Sequence, residues 1–261
     1  MINSINAYIS KSFKKIYKQN RIRVLEFISL CYLFINLINE ITLRKLNLVS
    51  EITIVIKGNG TQQILSTYNK KREYKLPNQI LVNGILQNYT EKYVYNLTYE
   101  INNITMKWNN QITNCNNMFE GLGNIISIDL SKFDSSKVTN FDCFFRNCYN
   151  LKSINLTNFN TSSCLNMVRM FDLCSGLDTL NLSSFDTSKV TSFENMFWGC
   201  TSLKSLDLSS FYTPQAKEVQ YLFNECSSLI FVNLKNFDTY NVSNSLNMFN
   251  GVNENLVYCA D

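Results

Sequence analysis

Phenylalanine recurs six times in the C-terminal part of this chain, each time 26 residues after the last and without insertion. The six positions are Phe119, Phe145, Phe171, Phe197, Phe223 and Phe249. A fixed period in the range of about 20–50 residues is typical of repeat proteins, in which each unit hides its apolar side chains against its neighbours. The spacing therefore predicts a row of stacked units with these six rings in a shared interior.

Other apolar residues recur with the same period and predict the structure of one unit. Phe193, Met196, Phe197 and Cys200 fall at i, i+3, i+4 and i+7, which is one apolar stripe of a short helix. The leucines from 203 to 208 follow in an L-x-x-L-x-L spacing that indicates a short strand. Cysteine stands three residues after the phenylalanine in the four middle copies, as Cys148, Cys174, Cys200 and Cys226.

These motifs resemble the BspA-type leucine-rich repeat over roughly residues 109–258. The resemblance is carried by M-F-x-x-C-x-x-L-x-x-L-x-L-S-x-F in Met196–Phe211 and by F-D-T-S-x-V-T before Ser192. It implies an α/β repeat fold, a leucine-rich-repeat solenoid with parallel strands and short helices, in a surface-exposed adhesion or interaction protein. One unit departs from the pattern at 211–216, F-Y-T-P-Q-A, where we expect a bend or local loosening.

The chain divides by composition into three parts. Residues 1–39 have six basic residues and one acidic residue before and within an apolar run at 27–38, which predicts a signal peptide or a signal anchor. The alternative is a structural N-terminal helix of a cytosolic protein. Residues 40–108 form a β-rich region that we expect to cap the first repeat, and 109–261 hold about six repeats with a C-terminal cap at 255–258.

Two hairpins are expected within the β-rich region. The alternating run 51–57 ends at Gly58-Asn59-Gly60 and predicts a return strand at 63–66. The sequence Asn83-Gly84 between two apolar runs predicts a second hairpin. An independent ligand-binding domain in 50–108 is the alternative to a cap.

Charge and composition exclude several function classes. The net charge is +4, but residues 1–39 alone carry +5, so the remaining 18 basic and 19 acidic residues show no basic footprint for nucleic acid. Histidine is absent, which removes Ser-His-Asp and Cys-His catalysis and every His-ligated metal site. We therefore expect no enzyme, no cofactor, no metal and no nucleic-acid partner.

A polar column between the two strand leucines is the candidate ligand-binding face. The column consists of Asp129, Asn155, Asn181, Asp207 and Asn233. Curved repeat surfaces commonly bind through such a face, here with a protein or a glycan as the ligand. The alternative is a solvated sheet surface without a ligand.

The cysteines and the asparagines leave further alternatives open. The chain has nine cysteines and no C-x-x-C pair, and we expect those of the column to be buried thiols. In an oxidising compartment Cys115 could pair with Cys143, or Cys226 with Cys259. Glycosylation is allowed by the sequons, which begin at Asn59, Asn88, Asn96, Asn103, Asn155, Asn160, Asn181 and Asn241.

Together these patterns predict a non-enzymatic protein of the cell surface or the extracellular space that recognises a protein or glycan. Its contact with a membrane would be limited to the N-terminal anchor. The alternative is an intracellular repeat scaffold for protein–protein interaction.

Overall fold

A computed structural model describes residues 50–67, 74–88 and 93–260. Val49–Asp261 forms one compact unit. The predicted leader at 1–39 lies outside the described residues. In the part of the chain that is described, no helix is long and apolar enough to cross a membrane.

Eleven strands make up the regular structure. Those before the repeats are β1 (Ser50–Lys57), β2 (Gly60–Gln63), β3 (Gln79–Val82), β4 (Ile85–Leu86), β5 (Val94–Leu97) and β6 (Ile101–Trp108). Those within the repeats are β7 (Ile125–Asp129), β8 (Ser153–Asn155), β9 (Ser205–Asp207), β10 (Phe231–Asn233) and β11 (Val257–Cys259).

The β-rich region and the first repeat share one mixed sheet of six strands, in the order β4-β3-β6-β1-β7-β8. Strand β1 pairs antiparallel with both β6 and β7, while β7 and β8 are parallel. Alternate residues of β1, among them Ile52, Ile54 and Ile56, are fully buried, as expected for a strand with one face on a core. The edge of the first repeat strand is therefore covered by β1 within the same sheet.

One of the two predicted hairpins is confirmed and the other is wrong. Strands β3 and β4 pair across Asn83-Gly84, whose φ angles of 50° and 81° are those of a tight hairpin turn. Strand β2, in contrast, pairs with β5 and not with β1. Local alternation could not reveal this, because β1 uses both of its edges for β6 and β7.

Consecutive repeats bond to each other at an offset of one period. We name each unit by the phenylalanine of the 26-residue row that begins it. Strand β10 lies between β9 and β11 in a parallel sheet of three strands. A second line of parallel bridges joins Asn114, Asn140, Asn166, Ser192, Glu218 and Asn244. The residues at 255–258, predicted to cap the last unit, instead lead into strand β11.

The segment predicted to be helical is a run of turns in every unit. Met196 N donates to Phe193 O and Cys200 N to Phe197 O, which are bonds between residues three apart. The N–H groups between them, such as that of Phe197, donate instead to the next unit. No α-helix or 3₁₀-helix occurs in the described residues.

Left-handed residues explain why the helical spacing does not produce a helix. Two positions in each unit have φ between 50° and 80°, a conformation that a right-handed helix cannot contain. The first is occupied by Asn117, Cys143, Arg169, Asn195, Tyr221 and Asn247, and the second by Gly121, Asn147, Leu173, Gly199, Glu225 and Gly251. The predicted leucine-rich-repeat solenoid with parallel strands and short helices is therefore wrong: the described chain has no helix, and its strands lie in separate sheets of which the largest is mixed.

The six recurring phenylalanines face a common interior. Their rings stack in sequence with centroids 6.0, 5.6, 5.8, 5.8 and 5.3 Å apart. The first five are fully buried, and Phe249 at the end of the row is half-buried. A second stacked row contains Phe133, Phe159, Phe185 and Phe211.

The expected loosening at 211–216 is not observed. Phe211 keeps its stacked position on Phe185, and the Thr213 hydroxyl donates to Asp238 O at 3.0 Å. In other units an Asp or Asn side chain accepts the N–H two residues later, as Asp186 does from Ser188. Here the N–H is missing because the residue is Pro214, so Tyr212 leaves no donor without an acceptor.

Candidate functional site

The predicted binding column lies along the strand face at the ends of the short strands. Asp129, Asn155, Asn181 and Asp207 are exposed, and Asn233 is half-buried. In every case the side-chain oxygen accepts the backbone N–H two residues later. The accepted donors are those of Ser131, Thr157, Ser183, Ser209 and Lys235, at 2.9, 3.1, 3.0, 2.9 and 3.2 Å.

These bonds give the column a structural role that the sequence analysis did not foresee. One oxygen of each side chain stabilises the turn that leaves the strand. The amide of Asn155 also donates to Asp129 Oδ1 at 3.0 Å, which links two neighbouring units. The second carboxylate oxygen of Asp207 faces outward, and the N–H of Ser209 lowers the pKa of this carboxyl group, so Asp207 is anionic at neutral pH.

The strand row is interrupted at the Phe171 unit. Between the Phe119 and Phe145 units, Lys152 N donates to Ile126 O at 3.0 Å and Leu130 N to Asn155 O at 2.9 Å. Between the Phe197 and Phe223 units, the equivalent bonds are Ile230 N to Lys204 O and Leu208 N to Asn233 O, both 2.9 Å.

None of these bonds forms on either side of the Phe171 unit, although every residue involved is described. From the N–H of Asp178 to the N–H of Leu182, the main chain makes no backbone hydrogen bond. Asp178 stands where the neighbouring units have Lys152 and Lys204, and aspartate is disfavoured in strands. This substitution is the only sequence signal of the interruption that we find.

A groove of about 440 Å³ lies over the interruption. Its lining is Ser153, Ile154, Thr179, Leu180, Asn181, Leu182, Ser183, Ser205, Asp207, Ser209 and Ser210. Ile154 and Leu180 are only partly buried there, whereas the equivalent Ile128, Leu206 and Val232 are 3%, 1% and 0% exposed. The groove thus has an apolar floor, a rim of hydroxyl and amide groups, and one carboxylate. Its volume is in the range of small ligand sites.

The cysteine column lies on the opposite side of the core and is structural. Each thiol donates to the carbonyl of the phenylalanine in the preceding unit. The four bonds run from Cys148, Cys174, Cys200 and Cys226 to Phe119, Phe145, Phe171 and Phe197, at 3.2, 3.1, 3.2 and 2.9 Å. Burial raises the pKa of these thiols, that of Cys226 to about 12, so they are neutral and poorly nucleophilic.

All eight described cysteines are free, including the pairs Cys115 with Cys143 and Cys226 with Cys259. Seven are buried and Cys259 is exposed. We therefore expect iodoacetamide to modify Cys259 in the native protein and to leave the seven buried thiols unmodified. Peptide mapping by mass spectrometry measures this, and labelling in guanidinium chloride provides the control in which all eight react. Rapid native labelling of Cys174 or Cys200 would contradict the buried column.

An ionic row that the sequence analysis missed crosses three units. The Arg146 guanidinium donates to Glu120 Oε1 at 2.9 Å and to Asp172 Oδ2 at 3.1 Å. The side chains of Glu120 and Asp172 are 3% and 0% exposed. The signal was present, because acid, base and acid recur at intervals of 26 residues.

Asp172 should make stability depend on pH. Burial raises the pKa of its carboxyl group from 3.8 to about 6, and the lowering effect of Arg146 offsets this only in part. The folded state therefore binds a proton more tightly than the unfolded state, so the free energy of unfolding falls as pH rises from about 4 to 6. A shift of about two pKa units corresponds to at most about 3 kcal/mol.

We expect Asp172→Asn to remove most of this dependence, as measured by urea unfolding at pH 4.5 and 7.5. Asp142, whose pKa is also raised by burial, would leave a residual slope. The control is Asp186→Asn: hydrogen bonds to Ser188 lower the pKa of Asp186, so its effect is confined to lower pH. An unchanged slope in Asp172→Asn would contradict the assignment.

The described residues contain no group of three or more His, Cys, Asp or Glu side chains that could hold a metal ion.

The repeats match a family model described as "Mycoplasma protein of unknown function, DUF285". The matches cover residues 89–180 and 151–257, which together span more than half of the chain. The chain belongs to the DUF285 family. The two DUF285 matches overlap within the repeats and include both the interrupted strand row and the groove. No curated protein and no solved structure matches the chain.

Proposed function

We propose that this DUF285 protein is a non-enzymatic recognition protein that binds a protein or glycan through its strand face. The observation that carries the proposal is the groove over residues 178–182. It combines unpaired main-chain groups, an apolar floor and an ionised carboxylate on an exposed surface. Such a combination provides both hydrogen bonding and apolar burial for a ligand.

The chemistry of the face favours binding over catalysis. The two carboxylates of the column, Asp129 and Asp207, belong to units three periods apart, and each is held by its own turn. The buried thiols have raised pKa values and lie away from the groove lining. Nothing along the groove pairs a nucleophile with a base, as covalent catalysis requires.

We further propose that the protein acts at the cell surface or outside the cell, as a relative of BspA-type surface repeat proteins. The support is the repeated motif of Met196–Phe211, the family membership, and the basic segment followed by an apolar run within 1–39. That segment would act as a signal or anchor, with the repeats on the outer side.

The test is ligand binding by the full chain on a glycan array and in pull-downs with surface extracts. Ser183→Arg combined with Ser209→Arg would fill the groove with side chains and keep the backbone N–H groups that the column accepts. The matched control is Thr201→Arg, an exposed position outside the groove lining. We expect the double variant to lose binding and the control to keep it. Equal binding by all three proteins, with unchanged circular dichroism, would reject the strand face.

The second candidate is an intracellular repeat scaffold. The observation that favours it is the set of eight free thiols, since a reducing compartment keeps cysteines in this form. Protease treatment of intact cells that express a tagged chain separates the two. Digestion of the repeats supports the surface location, and protection until lysis supports the scaffold.

A further inference from the structure

We propose that the groove over residues 178–182 binds a short, extended polypeptide segment that carries a basic side chain. This inference rests on the proposed function and names the class of ligand. It follows from three properties of the groove: the unpaired main chain, the partly exposed aliphatic floor, and the single charge on the rim.

The unpaired main chain is the first argument. Strands β8 and β9 each end a sheet on the side that faces 178–182, and the segment between them makes no main-chain bonds. A row of free N–H and C=O groups at strand spacing is the pattern that an extended peptide complements with its own main chain. A saccharide has hydroxyl groups but no such fixed alternation of donors and acceptors.

The floor accounts for side-chain selectivity. Ile154 and Leu180 belong to a column that is buried in the flanking Ile128 and Leu206, yet both are partly exposed under the groove. Because alternate side chains of an extended peptide point to the same face, one aliphatic residue of the ligand can cover this floor. Its burial would contribute apolar free energy in addition to the main-chain bonds.

The charge of the ligand follows from Asp207. It is the one ionisable side chain among the residues that line the groove, and the other polar groups there are hydroxyls and an amide. A lysine or arginine next to an aliphatic residue would pair with this carboxylate, and an acidic side chain would be repelled. The segment is short, since a volume of about 440 Å³ holds only a few residues.

The experiment is selection of a random heptapeptide display library on the immobilised full chain, with the Ser183→Arg/Ser209→Arg variant as counter-selection. Enriched peptides are then synthesised, and their affinities are measured by fluorescence anisotropy. Each is compared with an analogue N-methylated at its two central residues and with one in which the basic residue is glutamate. We expect enrichment of a basic residue near an aliphatic one, and at least tenfold weaker binding of the N-methylated analogue.

Two matched variants test the site. Asp207→Asn and Asp129→Asn make the same chemical change at equivalent positions, and both keep the oxygen that accepts the turn N–H. Asp207→Asn should weaken binding of the basic peptides about fivefold, as for one partly exposed ion pair, and Asp129→Asn should not. Hydrogen exchange of Thr179 to Asn181 should slow when peptide is added.

The outcomes separate this inference from the proposed function. If glycans bind in a manner blocked by the double variant and no peptide is enriched, the peptide inference is overturned and strand-face recognition stands. Peptides that tolerate N-methylation, or that respond equally to the two Asp→Asn variants, also overturn it. If neither peptides nor glycans nor surface proteins bind, both proposals fail.

Discussion

Phe197→Ala should lower the free energy of unfolding by about 3–5 kcal/mol, the range found for a fully buried aromatic side chain. The Phe197 ring lies between those of Phe171 and Phe223, with both centroids 5.8 Å away and interplanar angles of 4° and 3°. Removing it leaves a cavity between two stacked rings that are themselves held by neighbouring units. The loss therefore includes apolar burial, ring contacts and an unfilled volume.

Phe249→Ala is the control for this prediction. Phe249 occupies the same row, but it is half-buried and has one neighbouring unit instead of two. We expect its cost to be clearly smaller, because less apolar surface is removed from water in the native state. Urea unfolding followed by circular dichroism compares the two variants. Equal losses, or little loss for Phe197→Ala, would mean that the row does not form the common interior.

Arg146→Met should be the second most damaging change, with an expected cost of about 3 kcal/mol at neutral pH. The substitution keeps the apolar volume of the side chain and removes the charge that serves both Glu120 and Asp172. Two buried carboxylates would then lack their cation, and removing one partner of a buried ion pair is costly for this reason. The estimate lies at the low end of the known range because the arginine side chain is 29% exposed.

The matched control is Lys132→Met. Lys132 pairs with Glu51 at 3.2 Å, but its side chain is 71% exposed, so we expect a cost below about 1 kcal/mol. The penalty of Arg146→Met should shrink at pH 5, because Asp172 then takes up a proton and no longer needs a counter-charge. A penalty that is equal for both variants, or independent of pH, would contradict the buried row.

The recurring columns were predictable because their physical cause is local and repeated. A side chain that recurs every 26 residues without insertion meets its own equivalent in the next unit, and an apolar one is then buried by that contact. The stacked phenylalanines and the thiols that donate to the preceding carbonyl follow from this rule. The ionic row of Glu120, Arg146 and Asp172 follows from it as well, and inspecting the polar columns as pairs would have found it.

The backbone path within each unit was not predictable in the same way. An apolar spacing of three and four is shared by a helix and by the turns seen here. The deciding feature is the pair of left-handed residues in each unit, which are glycine or asparagine in some copies but Leu173, Tyr221 or Glu225 in others. Side chains of those types do not favour positive φ on their own. Hydrogen bonds to the next unit hold them there, such as that from Tyr221 N to Leu246 O at 2.9 Å.

The sequence by itself determined the period, the buried columns and the exposed polar column, since each depends only on equivalent residues meeting across units. Tertiary structure alone decided that β1 completes the sheet of the first repeat, that turns replace helices, and that the strand row opens at the Phe171 unit. These features depend on which main-chain groups meet across units, and every residue type except proline carries the same N–H and C=O. Side-chain patterns therefore do not record them, and the groove to which we assign the function is one of them.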